Sequence, residues 1–503
     1  SDIGIVVYFK HENCGSCFAA EQFVDIKLGK KCFLTLHIIK KGASETVKTL
    51  LKNGTVVSGD MSVREDVLID GEKIVKVGRN LEAEDAQVVD VNGKLLFPGF
   101  IDGHTHFDLE VAGTVTADDF ETGTRAAIAG GTTLVIDYAS QDKGGHTLKE
   151  GLDKWHKKAD DKCSCDYSFH MSIVEWNEET EREIQDMINE GITSFKLYMT
   201  YPAMIVDDGD LYKIIKKLNE YGCFAGVHCE NAGAIDALIA EAKKEGRLGP
   251  ENHPLVRPDI MEAEAVHRLL VIADAANAPV MVVHLTNRKA FEEVMRARMN
   301  GQKVYAETCP QYLLLDDSVY SKPDFEGAKY VCAPPIRKKA DQDCLWKALA
   351  NDQIQTVATD QCSFTMEQKA LGKDDFTKIP GGLPGVQTRG ILLYTYGVRT
   401  GRISQEQMCR LLSENAAKLY GVYPNKGVIR EGSDADIVVF DPEKENVISA
   451  KTHLYHTDNN PYEGFKLHGD IDSVYLRGAH VVQDGKVILE KTGKYIKRGK
   501  NQM

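Results

Sequence analysis

Apolar positions along the chain fall into two textures. In the middle, near-continuous apolar runs alternate with stretches of helical spacing. The runs read LLFPGFIDGHTHFD, TTLVIDYA, CDYSFHMSI, TSFKLYMT, CFAGVHCE, PVMVVHLT, KVYAETCP and IQTVATD. Strands that are apolar on both faces belong in a parallel sheet covered by helices. Segments such as DLYKIIKKLNEYG and RKAFEEVMRARMNG repeat their apolar residues every three to four positions and predict those helices. Eight strand-helix units predict an α/β fold, a closed (β/α)8 TIM-like barrel over residues 98–427.

The second texture occupies both ends. LLKNGTVVSG, VREDVLIDGEKIVKVG and AQVVDVNGKLLFPG are short β-rich runs broken by Asn-Gly and Asp-Gly, which are strong hairpin signals. The same pattern returns in GSDADIVVFDPE and DIDSVYLRGAHVVQDGKVILE. Residues 48–97 and 428–490 are therefore expected to build one small, discontinuous β-sandwich. Residues 1–47 read as an N-terminal extension. Cys14 and Cys17 have the spacing of a redox or metal half-site, but no second pair accompanies them, and chance proximity is the favoured reading. The tail 491–503 has five basic residues and no acidic one, and is expected to be a solvated extension or a subunit contact.

Composition narrows the class. The chain has 503 residues, 43% hydrophobic and 27% charged, which excludes disorder, collagen and coiled coil as the main architecture. No apolar run approaches the ~18 residues of a membrane span, so no membrane partner is expected. Sixty-one Lys and Arg against 75 Asp and Glu leave a net charge of -14, a surface that repels phosphate backbones. Nucleic acid is accordingly not an expected partner. Cys223, Cys229 and Cys332 sit inside apolar runs, as reduced thiols do, and a cytoplasmic location is expected. Residues 3–9 are apolar but lack the basic start and cleavage site of a signal peptide.

The candidate chemistry lies at the strand ends, where a barrel of this type projects its catalytic groups. Strand one ends in Asp102-Gly103-His104-Thr105-His106. Residues two apart in a strand point the same way, so both imidazoles can face one ion. Strand four carries Lys196, strand five ends at His228, strand six at His284 and strand eight at Asp360. A lone buried histidine is usually satisfied by a carbonyl, and Lys196 has the alternative of an ion pair with Asp360. Six such groups on one rim outweigh those separate readings. An ammonium cannot ligate a metal, whereas a lysine carbamate formed with CO2 (N6-carboxylysine) offers two anionic oxygens on a long stem. His104, His106, the Lys196 carbamate and Asp360 would hold one ion; the carbamate, His228 and His284 the other. Mixed imidazole and carboxylate ligation suits Zn2+ best among first-row divalent metals.

With these residues in view, the constellation GFIDGHTH, the strand-four lysine, the two strand-end histidines and the strand-eight aspartate resemble the amidohydrolase superfamily. GTVTADDFETGTRAAIAGGTTLVIDYA, FKLYMTYPAM, AETCPQYLLLD, VCAPPIR, ATDQCSF and DFTKIPGGLPGVQTR resemble its dihydropyrimidinase/hydantoinase family over roughly residues 48–490. The resemblance implies hydrolysis of a cyclic ureide or imide. Dihydropyrimidines or 5-substituted hydantoins would open to N-carbamoyl amino acids, with water activated between two metal ions. It implies that Tyr201 donates a hydrogen bond to the developing oxyanion. Asp360 would move a proton to the leaving ring nitrogen.

The resemblance also implies main-chain recognition of the ring at Ala333 and Gly381, where relatives commonly have Ser and Asn. Gln361 stands where relatives have His or Gln. Leu109, Val111 and Tyr198 are candidate walls for the exocyclic group, while Glu110 either faces solvent or discourages anionic substituents. Asp102 is expected to accept a hydrogen bond from a ligating histidine. A homotetramer is the family's usual assembly. The alternatives are an allantoinase- or dihydroorotase-like amidase, and a non-catalytic scaffold of the same fold. The motifs leave the preferred ring and its handedness open.

Overall fold

The computed structural model describes residues 48–503 and, before them, an antiparallel strand pair, Phe23–Leu28 with Cys32–His37. Cys14 and Cys17 lie outside the described residues.

Eight parallel strands follow one another around the barrel in sequence order. They are β1 (Phe100–Thr105), β2 (Thr132–Ser140), β3 (Asp166–Ser172), β4 (Ser194–Tyr198), β5 (Phe224–His228), β6 (Val280–Val282), β7 (Val304–Thr308) and β8 (Thr356–Val357). The seam between first and last closes just beyond β8. The His106 N–H donates to the Gln361 carbonyl at 2.8 Å, and the Gln361 N–H donates to His104 at 3.3 Å. Burial along the strands is nearly uniform, as two covered faces require. Ile101, Leu134, Ile136, Phe224, Met281 and Tyr305 pack inside.

The β-rich ends meet in one seven-stranded sheet. Leu95–Pro98 pairs in parallel with Thr55–Val57 and antiparallel with Ile437–Val447, in the register Pro98 to Ile437 and Leu95 to Phe440. A four-stranded sheet of Lys48–Lys52, Asp66–Asp70, Lys73–Gly78 and Ala86–Asp90 accompanies it. Leu51, Val67, Ile69, Ile74, Leu96, Ile437 and Val439 form their shared core. The Asp70-Gly71 turn joins Asp66–Asp70 to Lys73–Gly78, with Gly71 at φ +58°. Glycine adopts that conformation without steric cost.

Barrel and sandwich are joined by a buried charge cluster. Lys426 Nζ donates to Asp166 Oδ2 at the start of β3 (2.8 Å) and to Asp436 Oδ2 beside the sandwich strand (2.6 Å), with Asp434 Oδ2 at 3.1 Å.

The four lysines of the basic tail are exposed, as a solvated extension would have them, but Arg498 departs from that expectation. Arg498 is buried and donates to Ser168 Oγ and the Phe169 carbonyl of β3. Ile496 and Met503 pack against the barrel's interior cluster, so the segment lies across the end opposite the strand C-termini. A count of positive residues missed this, since a guanidinium surrounded by hydroxyls and carbonyls can be buried. No described helix is long and apolar enough to cross a membrane.

Candidate active site

The strand ends bring His104, His106, Lys196, His228, His284 and Asp360 to the wall of one cavity of about 420 Å³. His104 Nε2 lies 3.2 Å from Asp360 Oδ1, and His106 Nε2 lies 3.1 Å from the same oxygen. His104, His284 and Asp360 present donor atoms all within 4.8 Å of one another. The His228 ring sits 4.6 Å from that of His284, centroid to centroid. Lys196 Nζ reaches His104 Nε2 at 3.4 Å and otherwise faces the rings of Tyr138 and Tyr198. Among the described residues no carboxylate lies within 4.0 Å of it, so the alternative of a direct ion pair with Asp360 is not what the structure contains.

The backbone is strained at two of these positions and at the neighbouring Tyr201, which lines the same cavity. Tyr201, His284 and Asp360 have φ of +68°, +39° and +54°. Non-glycine residues adopt that region at a cost of roughly 1–3 kcal/mol each, and do so mostly where function requires a side chain to be aimed.

Supporting carboxylates fix the imidazoles. His104 Nδ1 meets Glu307 Oε1 at 2.6 Å, which leaves Nε2 turned toward Asp360 and Lys196. His228 Nε2 meets Glu230 Oε2 at 2.6 Å and leaves Nδ1 free. Glu230 is gripped by Arg257 through both oxygens, at 3.0 and 2.7 Å. Such partners select the tautomer and raise the basicity of a ligating histidine. Asp102 has a different place from the one expected. It accepts from the main-chain N–H of His104 and from the Thr359 N–H and hydroxyl, so it braces the strand-one turn rather than an imidazole.

Neither Glu307 nor Glu230 is apparent in a reading centred on metal ligands. Glu307 had a visible signal, an acid inside the apolar run KVYAETCP. Glu230 lies just past a strand end, where period-two reasoning no longer fixes direction. The buried His170 is the bland case, held by the Gly103 carbonyl and Ser194.

Electrostatics follow from burial. Burial alone would raise Asp360, but His104 and His106 outweigh it and hold the carboxylate well below its usual range. Burial pushes Lys196 down to about 8, which leaves an appreciable neutral-amine fraction at neutral pH. Burial also pushes the Tyr201 phenol upward, so it stays a protonated donor. The Arg257 guanidinium stands 5.6 Å from the Tyr201 ring centroid.

Leu109, Val111, Tyr198, Ala333 and Gly381 all line the same cavity. Glu110 turns away and pairs with Lys154 at 2.8 Å on the exterior. Gln361 serves the fold: its Oε1 accepts the Gly385 and Val386 N–H groups beside the barrel seam.

Residues 95–481 match the model of the amidohydrolase family. The chain is 46% identical to a D-hydantoinase of Geobacillus stearothermophilus over 90% of its own length and 96% of that protein. It is 40% identical to a dihydropyrimidinase of Dictyostelium discoideum, over 90% and 91%. The crystal structure of dihydropyrimidinase from Brevibacillus agri superposes with a TM-score of 0.89 at 44% identity, covering 90% of this chain and 99% of that one. The strand-end constellation and these likenesses over nine-tenths of the sequence agree, and the chain belongs to the amidohydrolase family, among its hydantoinases and dihydropyrimidinases.

Proposed function

We propose that the protein is a two-metal hydrolase that opens the ring of dihydropyrimidines or 5-substituted hydantoins to give N-carbamoyl amino acids. The observation that carries this reading is the rim itself: four imidazoles, one ionised carboxylate and one buried amine converge beside a cavity of about 420 Å³, room for a small ring and its substituent. Its relatives' names point to the same substrates.

The donor set fits two divalent ions better than it fits itself. His284 Nδ1 and Glu307 Oε2 are buried without a hydrogen-bond partner among the described residues. The Lys196 amine is buried beside histidines with no counter-charge in contact, an expensive arrangement for an ammonium. Conversion to a carbamate replaces that positive charge with a ligating negative one. His104, His106, carboxylated Lys196 and Asp360 would hold one ion, and the carbamate, His228 and His284 the second, with Zn2+ the metal best matched to these donors. When bound, two such ions supply a Lewis acid for the ring carbonyl and a water ionised at neutral pH.

The chain's own residues then act on the substrate. Tyr201 donates its phenolic proton as a hydrogen bond to the carbonyl oxygen as charge builds there, an interaction stronger in the transition state than before it. Asp360 takes the proton of the attacking water and returns it to the ring nitrogen as the C–N bond breaks. The main chain at Ala333 and Gly381 reads the amide edge of the ring. Leu109, Val111, Met204, Ile239 and Phe376 make the cavity wall largely apolar, which favours an apolar exocyclic group.

A carboxylate-bearing ring such as dihydroorotate is less well served. The guanidinium lining the cavity, Arg257, is already committed to Glu230. The test is to assay dihydrouracil, hydantoin and 5-phenylhydantoin alongside elemental analysis. The expected result is close to two zinc ions per chain and turnover that is lost on chelation and restored by Zn2+. A folded protein with no stoichiometric metal and no turnover of any of the three would establish the scaffold reading instead.

A further inference from the structure

Two lysines are buried at the mouth of the barrel, and they are treated in opposite ways. Among the described residues, Lys196 Nζ has no oxygen partner. Lys369, at the end of the short helix Met366–Lys369, is 1% exposed and donates to three carbonyls: Val331 at 2.9 Å, Pro380 at 2.7 Å and Gly382 at 2.9 Å. An ammonium has three protons, and each has its acceptor. Among the described residues no carboxylate lies within 4.0 Å of Lys369 Nζ, so it is no ion pair.

Those carbonyls belong to the two stretches of chain that carry Ala333 and Gly381. Val331, Cys332 and Ala333 line the cavity, as do Gly381, Gly382 and Leu383. They face one another closely: a Cβ placed on Gly381 would lie 3.8 Å from Cys332 Cα. The Gly382 N–H also donates to the Val331 carbonyl at 2.9 Å. His253 Nε2 meets the Cys332 carbonyl at 2.7 Å. Lys369 itself does not line the cavity. It stands behind the wall, where an apolar side chain would fill the space at far lower desolvation cost.

We propose that Lys369 is a positioning residue for substrate recognition, a three-way fastener that sets the separation of the main-chain groups at Ala333 and Gly381. The inference rests on the reading that these groups hydrogen-bond the amide edge of the ring. Removing the fastener lets the two stretches drift, and bond geometry to the ring is lost while the metal ligands stay in place.

The test compares hydantoin with 1-methylhydantoin, which lacks one ring N–H. Both are measured as competitive inhibitors of 5-phenylhydantoin hydrolysis by the zinc-loaded enzyme. In the parent enzyme the methyl group is expected to weaken binding about tenfold, the worth of a well-placed hydrogen bond. In Lys369→Met that ratio should fall toward one. KM should rise about tenfold with a smaller change in kcat, and zinc content should be unchanged. Lys369→Gln, which keeps two N–H donors, should lie between. An unchanged ratio in Lys369→Met would overturn the proposal, and so would failure of both variants to fold, which would make Lys369 purely structural. A parent ratio near one would instead show that the ring edge is not read by these groups, a failure of the functional reading itself.

Discussion

Glu307 and Lys196 show what single residues contribute at the rim. Glu307 is buried on β7 with Oε1 2.6 Å from His104 Nδ1, so Glu307→Gln keeps the shape but replaces the carboxylate that orients the ring. Metal affinity is expected to drop about 10- to 100-fold, measured by competition with a chelator, with the thermal midpoint little changed. Lys196→Ala is expected to abolish turnover through loss of metal, with partial recovery on adding a short-chain carboxylic acid. Full metal content and full rate in that variant would refute the carbamate. The sequence makes Lys196 conspicuous because a charge inside SFKLYM cannot be ignored. Glu307 carries the same signal and is passed over only because an acid can be read as a strand-end polar residue.

At the scale of elements, the barrel seam is the point where fold and chemistry meet. Asp360 has φ +54° and is followed at once by Gln361, whose main chain bridges to β1 and whose side chain holds the turn at Gly385 and Val386. Gln361→Ala leaves those two buried N–H groups unpaired. A loss of about 1–3 kcal/mol in urea unfolding is expected, together with a lower kcat because Asp360 loses its rigid neighbour. The strand order was legible because eight apolar runs alternate with helical spacing, and the convergence of the rim residues because they end those runs. The loops were not. Lys369, Arg257 and His253 act on partners that come close only through loop packing, and no periodicity reports such contacts. Asp102 shows the same limit, since its nearness to the His-x-His pair revealed importance but not which group it binds.

The whole molecule is held together by charge as well as by its cores. Lys426 bridges Asp166 of the barrel and Asp434 and Asp436 of the sandwich in one largely buried cluster. Burial alone would lower the lysine, but Asp436 and Asp166 outweigh it and hold its pKa far above the usual range. Lys426→Met removes the cation that touches all three acids, leaving Arg477 on Asp166 and Lys73 on Asp434 and, among the described residues, nothing in its place on Asp436 Oδ2. Breaking a buried pair from one side costs about 3–5 kcal/mol, so the variant should unfold at clearly lower denaturant. If stability were unchanged, the cluster would not be a joint between the two parts. The tail teaches the converse lesson, because four of its five basic residues are exposed while Arg498 is sealed beneath the barrel.

The pairing of Leu95–Pro98 with Ile437–Val447 also bears on how the protein is made. A ribosome adds about 5–20 residues per second, so tens of seconds separate the emergence of these two strands. Throughout that interval the nascent N-terminal strands present an unpaired apolar edge, the kind of surface that seeds aggregation. Recombinant yield should therefore respond to chaperone supply and to slower growth temperature more than to any change at the catalytic rim.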